Sequence, residues 1–207
     1  LVISGGHIKG LAYMGSLKRL EELDLIKKSN LKKIIGTSIG SFICACYIMG
    51  YTVDELLEHV LDTDVPSFKD FSPDSSNVAI LKGSIFRAWI RDTISKKMDS
   101  NITMIQLFNK TQIEFIIAAT CLEDGIVYIS YKNKPNMKLF DALISSMNFP
   151  FVFSPYEVLD SNNQIKTYVD GGLIDNFPMQ LLGVDAIGVT SKRRHEMKND
   201  KNSSLYT

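Results

Sequence analysis

The chain opens with an apolar run, Leu1-Val2-Ile3-Ser4, that stops at Gly5-Gly6. From residue 9 to 23, apolar side chains recur at Leu11, Met14, Leu17, Leu20 and Leu23, a three-residue spacing that drifts slowly around a helix. Together these predict a strand, a tight loop and a helix. The same grammar returns at once: residues 31–35 predict a strand, 36–38 a turn, and 39–49 a helix that is apolar on almost every side and ends at Gly50. A helix of that kind belongs inside a domain, against a sheet. Two successive strand–helix units predict an α/β fold: a single three-layer domain with a mostly parallel central sheet flanked by helices, its function lying outside the C-terminal strand ends.

Further along, Thr52 followed three residues later by Glu55 predicts a capping box and a short helix through residue 60. Residues 62–77 contain two prolines and eight Asp or Ser, and predict a long loop. Helices are expected at 81–98 and 103–108, then two strands at 112–120 and 125–131 joined through Glu123-Asp124-Gly125 as a hairpin. A helix at 138–147 runs into Asn148-Phe149-Pro150, and Pro155 interrupts the chain again. Residues 166–169 predict a strand that delivers Asp170, followed by a helix at 178–182 and a last strand at 185–189. The expected catalytic domain is 1–190, with 191–207 a charged C-terminal tail or loop.

Composition narrows the partners. Lys plus Arg and Asp plus Glu number 23 each, so bulk charge favours neither nucleic acid nor an anionic surface. The basic residues near 192–195 have no interleaved aromatics on which bases would stack. No transmembrane segment is expected, because the longest apolar stretch, 39–53, is interrupted by Ser41, Gly50 and Thr52 and falls short of the roughly 20 residues a span needs. Cys44, Cys46 and Cys121 lack metal-ligand spacing and predict reduced, mostly buried thiols in an intracellular compartment. No cofactor and no metal is expected. A cytoplasmic location, or one peripheral to membranes, is the expectation, although the missing initiator Met makes the absence of a leader a weak sign.

The candidate chemistry starts at Gly36-Thr37-Ser38-Ile39-Gly40, a G-x-S-x-G run between an apolar strand and an apolar helix. Small flanking residues let a serine occupy such a strand-to-helix corner with its hydroxyl projected outward. The competing reading is that Gly36 and Gly40 serve helix packing only. Asp170, at the end of its strand and followed by Gly171-Gly172, is the candidate carboxylate; a turn-capping role is the alternative. Gly5-Gly6-His7-Ile8-Lys9-Gly10 can turn backbone N–H groups toward a developing oxyanion, and it lacks the phosphate-loop arrangement. The order Ser38, Asp170, His195 is that of an α/β-hydrolase triad, yet His195 sits in a charged run with no apolar anchor. His59 lies at a helix end, where it can favour the terminal carbonyls. If no histidine serves, Asp170 itself must accept the serine proton.

Taken together these residues resemble the patatin-like phospholipase family. The opening segment is similar to its glycine-rich oxyanion loop, Gly36 to Gly40 to its nucleophile elbow, and Asp170-Gly-Gly-Leu-Ile-Asp-Asn-Phe-Pro178 to its aspartate motif. Ser145-Ser146-Met-Asn-Phe-Pro150 and Phe153-Ser-Pro155 resemble the segment that precedes that aspartate. The resemblance implies a lipid acyl hydrolase with a Ser38–Asp170 dyad and oxyanion donors at Gly5, Gly6 and His7, His7 standing where the family has a third glycine. It further implies a lipid substrate met at a membrane or micelle surface. Phe68, Phe71, Ile85, Phe86, Trp89, Phe149, Phe151 and Phe153 are candidate walls of an acyl channel or lid, or plain core. Alternatives are a lipid acyltransferase or transacylase, and a weakly active lipid-binding regulatory protein.

Overall fold

A computed structural model describes residues 1–6, 9–63, 70, 79–183 and 185–191. Among the described residues, seven strands form one sheet: β1 (Val2–Ile3), β2 (Lys33–Thr37), β3 (Glu114–Cys121), β4 (Gly125–Ile129), β5 (Tyr156–Leu159), β6 (Ile165–Asp170) and β7 (Gly188–Val189). Among the described residues the helices are α1 (Gly10–Glu22), α2 (Ile39–Met49), α3 (Val53–Leu61), α4 (Ser84–Ser95), α5 (Met104–Thr111) and α6 (Leu139–Met147). The α/β expectation holds. β7, β1, β2 and β3 pair in parallel, while β4 and β6 run antiparallel to β3, and β5 antiparallel to β6. Five strands therefore point one way and two the other, and the strand that carries Asp170 is one of the reversed pair.

The register places β2 and β6 end to end. Ile117 and Ala118 pair with both β2 and β4, whereas residues 119–121 pair with both β4 and β6. A strand has two edges, so β2 and β6 lie along the same edge of β3, opposite β4. β2 ends with Thr37 beside Ala118, and β6 arrives from the other direction with Asp170 beside Ala119. Two chains meeting head on must both turn away, and they do so at Ser38 and at Gly171.

Side chains alternate across the sheet with the two-residue period of a strand. Ile3, Ile34, Phe115 and Ile117 face a large core with α1, α2 and α6, while Val2, Ile35 and Ile116 face a small cluster covered by Phe177, Met179, Leu181 and Leu182. Among the described residues the cover on that second face is slight: the helix expected at 178–182 is a single 3-10 turn, Met179–Leu181. In α2 every residue from Gly40 to Met49 is buried, as its all-round apolarity requires. Gly50, at φ 104°, ends it in the left-handed conformation that glycine tolerates.

Side-chain caps set the starts of α3, α4 and α5. Thr52 with Glu55, and Thr103 with Gln106, each form a complete capping box at the starts of α3 and α5. The helix expected over 81–98 is shorter because its start is capped from a distance. Asp70 Oδ1 accepts from the Gly83 N–H at 2.9 Å, and Oδ2 accepts from the Ser84 N–H at 2.6 Å. The final strand shrinks to Gly188–Val189, since only those residues lie beside β1. β5 was missed altogether; it is an edge strand after Pro155, with alternating burial. The expected loop at 62–77 and the expected charged tail fall mostly outside the described residues.

Candidate active site

Ser38 is the corner between β2 and α2, with φ 52° and ψ −128°. A non-glycine residue persists there only when its surroundings over-determine it. The flanking glycines are part of that constraint: a Cβ on Gly36 would meet the Ser41 backbone, and one on Gly40 the Ile3 carbonyl. The Ser38 carbonyl accepts from the Ser41 N–H at 2.9 Å and from the Ser41 hydroxyl at 2.6 Å. Its N–H donates to Ser146 Oγ at 2.8 Å, and the Ser146 hydroxyl donates onward to the Ala118 carbonyl at 2.6 Å.

The Ser38 hydroxyl donates to Asp170 Oδ2 at 2.6 Å, both residues being buried. The other carboxylate oxygen, Oδ1, accepts from the Gly172 N–H at 2.7 Å. The Asp170 backbone is fixed on both sides, its N–H donating to the Asn148 carbonyl at 2.9 Å and its carbonyl accepting from the Thr120 hydroxyl at 3.0 Å. A carboxylate held this way has a set orientation and one oxygen aimed at the serine.

Gly5 lies against this pair, since a Cβ there would sit 3.2 Å from Ser38 Cβ and would collide with the Asn176 side chain. Its N–H, however, donates to the Asn176 carbonyl at 3.2 Å, and Asn176 Nδ2 donates back to the Gly5 carbonyl at 3.2 Å. In this structure Gly5 allows the close approach to Ser38, with its N–H engaged by Asn176. Among the described residues no acceptor takes the Gly6 N–H. Tyr13 stands where a Gly6 side chain would go, and its hydroxyl donates to the Gly5 carbonyl at 3.1 Å. His7 lies outside the described residues.

A cleft of about 230 Å³ opens at the pair, lined by Ser38, Asp170, Ile39, Phe86, Met147, Phe149, Val152 and Phe153. Phe86 and Phe153 stack with ring centroids 5.2 Å apart. Of the aromatics singled out from the sequence, Phe86, Phe149 and Phe153 reach the cleft. Trp89 packs on Phe42 and His59 instead, Ile85 lines a separate hollow with His59, Phe151 is 69% exposed, and Phe68 and Phe71 lie outside the described residues.

His59, the one histidine among the described residues, does not bond to the pair. His59 Nε2 bonds to Thr93 Oγ1 at 2.8 Å between α3 and α4, and His195 is outside the described residues. All three cysteines are buried and unpaired as disulfides, and burial pushes each thiol above its ordinary range. Sequence reasoning missed Ser146, Asn148 and Thr120, whose contributions pass through backbone contacts. Only the Ser145-Ser146-Met-Asn-Phe-Pro150 run had pointed to that region.

A strand-to-helix serine bonded to a strand-end carboxylate, on a sheet flanked by helices, is an arrangement of the α/β serine-hydrolase type. The chain belongs to the patatin-like phospholipase family, whose family model matches residues 1–182. A probable lipid hydrolase, 463L, of Invertebrate iridescent virus 6 is 30% identical over 213 residues, covering 98% of this chain and 66% of that protein. Triacylglycerol lipase 4 of Saccharomyces cerevisiae is 25% identical over 205 residues, 88% of this chain and 22% of the yeast protein. Among solved structures, VipD from Legionella pneumophila has a similar fold, with a TM-score of 0.69 and 15% identity over 96% of this chain and 51% of VipD. The chain thus spans just under two thirds of the viral relative. Among the described residues, no helix is long and apolar enough to cross a membrane.

Proposed function

We propose that this chain hydrolyses carboxylic esters of phospholipids or related lipids through an acyl-Ser38 intermediate, with Asp170 as the base. The observation that carries the reading is the 2.6 Å bond from the Ser38 hydroxyl to Asp170 Oδ2 at the mouth of an apolar cleft. Ser38 Oγ attacks the ester carbonyl carbon as its proton passes to Oδ2, and the alcohol leaves as that proton is returned to it. Water then attacks the acyl-serine carbonyl as Asp170 takes its proton, and the acyl C–Oγ bond breaks as Asp170 passes that proton to Ser38 Oγ, releasing the carboxylic acid. Backbone N–H groups of Gly6 and His7 are the proposed oxyanion donors, and the N-terminus of α2, which begins directly after Ser38, favours negative charge at the serine. The Ser38 N–H is not proposed as a donor, since Ser146 already holds it.

The cleft suits an acyl chain because its walls are Ile39, Met147, Val152 and three phenylalanines. Peripheral contact with a lipid surface is supported by Phe151, exposed beside the cleft residue Val152, and by Leu173 and Ile174 exposed soon after Asp170. The test is a panel of phospholipid, triacylglycerol and short-chain esters with wild type and S38A. S38A should lose at least about 10³-fold in kcat, and retention of wild-type turnover would overturn the acyl-serine route.

A further inference from the structure

We infer that Ser146 is a positioning residue for the Ser38–Asp170 pair, the last turn of α6 bracing both partners at once. The inference rests on the hydrolase reading above for its kinetic consequence, but not for its geometry. Ser146 has one hydroxyl proton, and it goes to the Ala118 carbonyl, which can only accept. The Ser38 N–H can only donate, so it must take a lone pair of the same oxygen. The hydroxyl thus ties the strained serine corner to the residue of β3 that faces Thr37. Two residues further on, the Asn148 carbonyl accepts the Asp170 N–H, and the Asn148 side chain donates to the Ser154 carbonyl at 2.9 Å. One short segment therefore sets where each partner's backbone stands.

The effect on Ser38 is specific. A serine at φ 52° relaxes unless held, and a relaxed corner swings the hydroxyl away from Asp170 Oδ2. Misplacement by about 1 Å costs on the order of 100-fold in rate. Ser145 offers an internal control: it is on the same helix and just as buried, but its hydroxyl donates to the Asp141 carbonyl one turn back, away from the pair.

The experiment compares wild type, S146A and S145A by kcat and KM on a soluble ester, by the rate of fluorophosphonate labelling of Ser38, and by amide hydrogen exchange at Ser38. S146A should lower kcat and the labelling rate by about 100-fold with KM within about threefold, and should speed exchange of the Ser38 amide by at least about tenfold. S145A should stay within about threefold of wild type in all of them. Unchanged labelling and exchange in S146A, or an equal loss in S145A, overturns the brace. Should S146A not fold, Ser146→Cys takes its place: the longer C–S bond and weaker hydrogen bonding should still cost about tenfold in labelling, and a wild-type rate overturns the inference. If wild type itself is not labelled, the hydrolase reading fails, while exchange at the Ser38 amide still decides the brace.

Discussion

Two short hydrogen bonds between a hydroxyl and a titratable side chain can be set against each other. Ser38 and Asp170 are 2.6 Å apart at the cleft, and Thr93 and His59 are 2.8 Å apart between α3 and α4. By distance alone they are equals, but the proton separates them. Ser38 donates its own proton to the carboxylate. Thr93 gives its proton to the Trp89 carbonyl one turn back in α4, so it can only accept from His59 Nε2–H. The ring lies between Trp89 and Tyr51, with Lys96 Nζ facing Nδ1 at 3.4 Å. A hydroxyl bonded to a base points to chemistry only when its own proton goes to that base.

The widest separation should come from removing each titratable partner. Asp170→Asn should lower kcat by about 10²–10⁴-fold at nearly unchanged melting temperature, while H59Q stays within about threefold. Equal losses in steady-state kinetics would erase the distinction. Next in size, T93V should leave the half-buried His59 N–H without its acceptor and destabilise the fold by about 0.5–1.5 kcal/mol, roughly 2–4 °C per kcal/mol for a chain of this size. Urea and thermal melts would read this, and kcat per folded molecule should not move. A third variant lies where the regions touch, because Phe86 stacks on both Phe153 and Trp89. F153A should widen the cleft and shift the kcat/KM ratio of long to short acyl esters by about tenfold toward the longer; an unaltered ratio would place the acyl chain elsewhere.

The smallest effect is on pH dependence. Burial, then Lys96, holds the His59 pKa below its ordinary value of 6.5, against the opposing pull of Asp92 and Asp62. The folded protein therefore favours the neutral ring. Above pH 6.5 its contribution to stability is complete, and it is lost as pH falls below 6.5, where the unfolded chain binds the proton first. Melting temperatures from pH 7.5 to 5 should decline more steeply for wild type than for H59Q, and parallel slopes would remove His59 from the account.

The elements around the serine were legible because their requirements are local. G-x-S-x-G between apolar runs reads as an elbow, and the structure gives the steric reason at Gly36 and Gly40. Asp170 at a strand end was legible from the apolar residues before it and the glycines after it. The polarity of β6 was not, since strand direction is decided by partners distant in sequence. The start of α4 was hidden for the same reason: its cap, Asp70, lies 14 residues before Ser84. Ser146 carried no signature of its own, because a buried serine in a helix commonly bonds its own backbone, as Ser145 does.

The end-on meeting of β2 and β6 separates what can vary in length from what cannot. Ser38 and Asp170 are 132 residues apart along the chain, and that number has no bearing on their contact. Loops between them can be lengthened or trimmed without changing where either strand stops. An added residue in β3 between Ala118 and Ala119 is another matter, for it would move the two strand ends apart by about 3.3 Å, more than the whole bond between them. The tolerance of this domain to insertions should therefore be lowest within one dipeptide that touches no substrate.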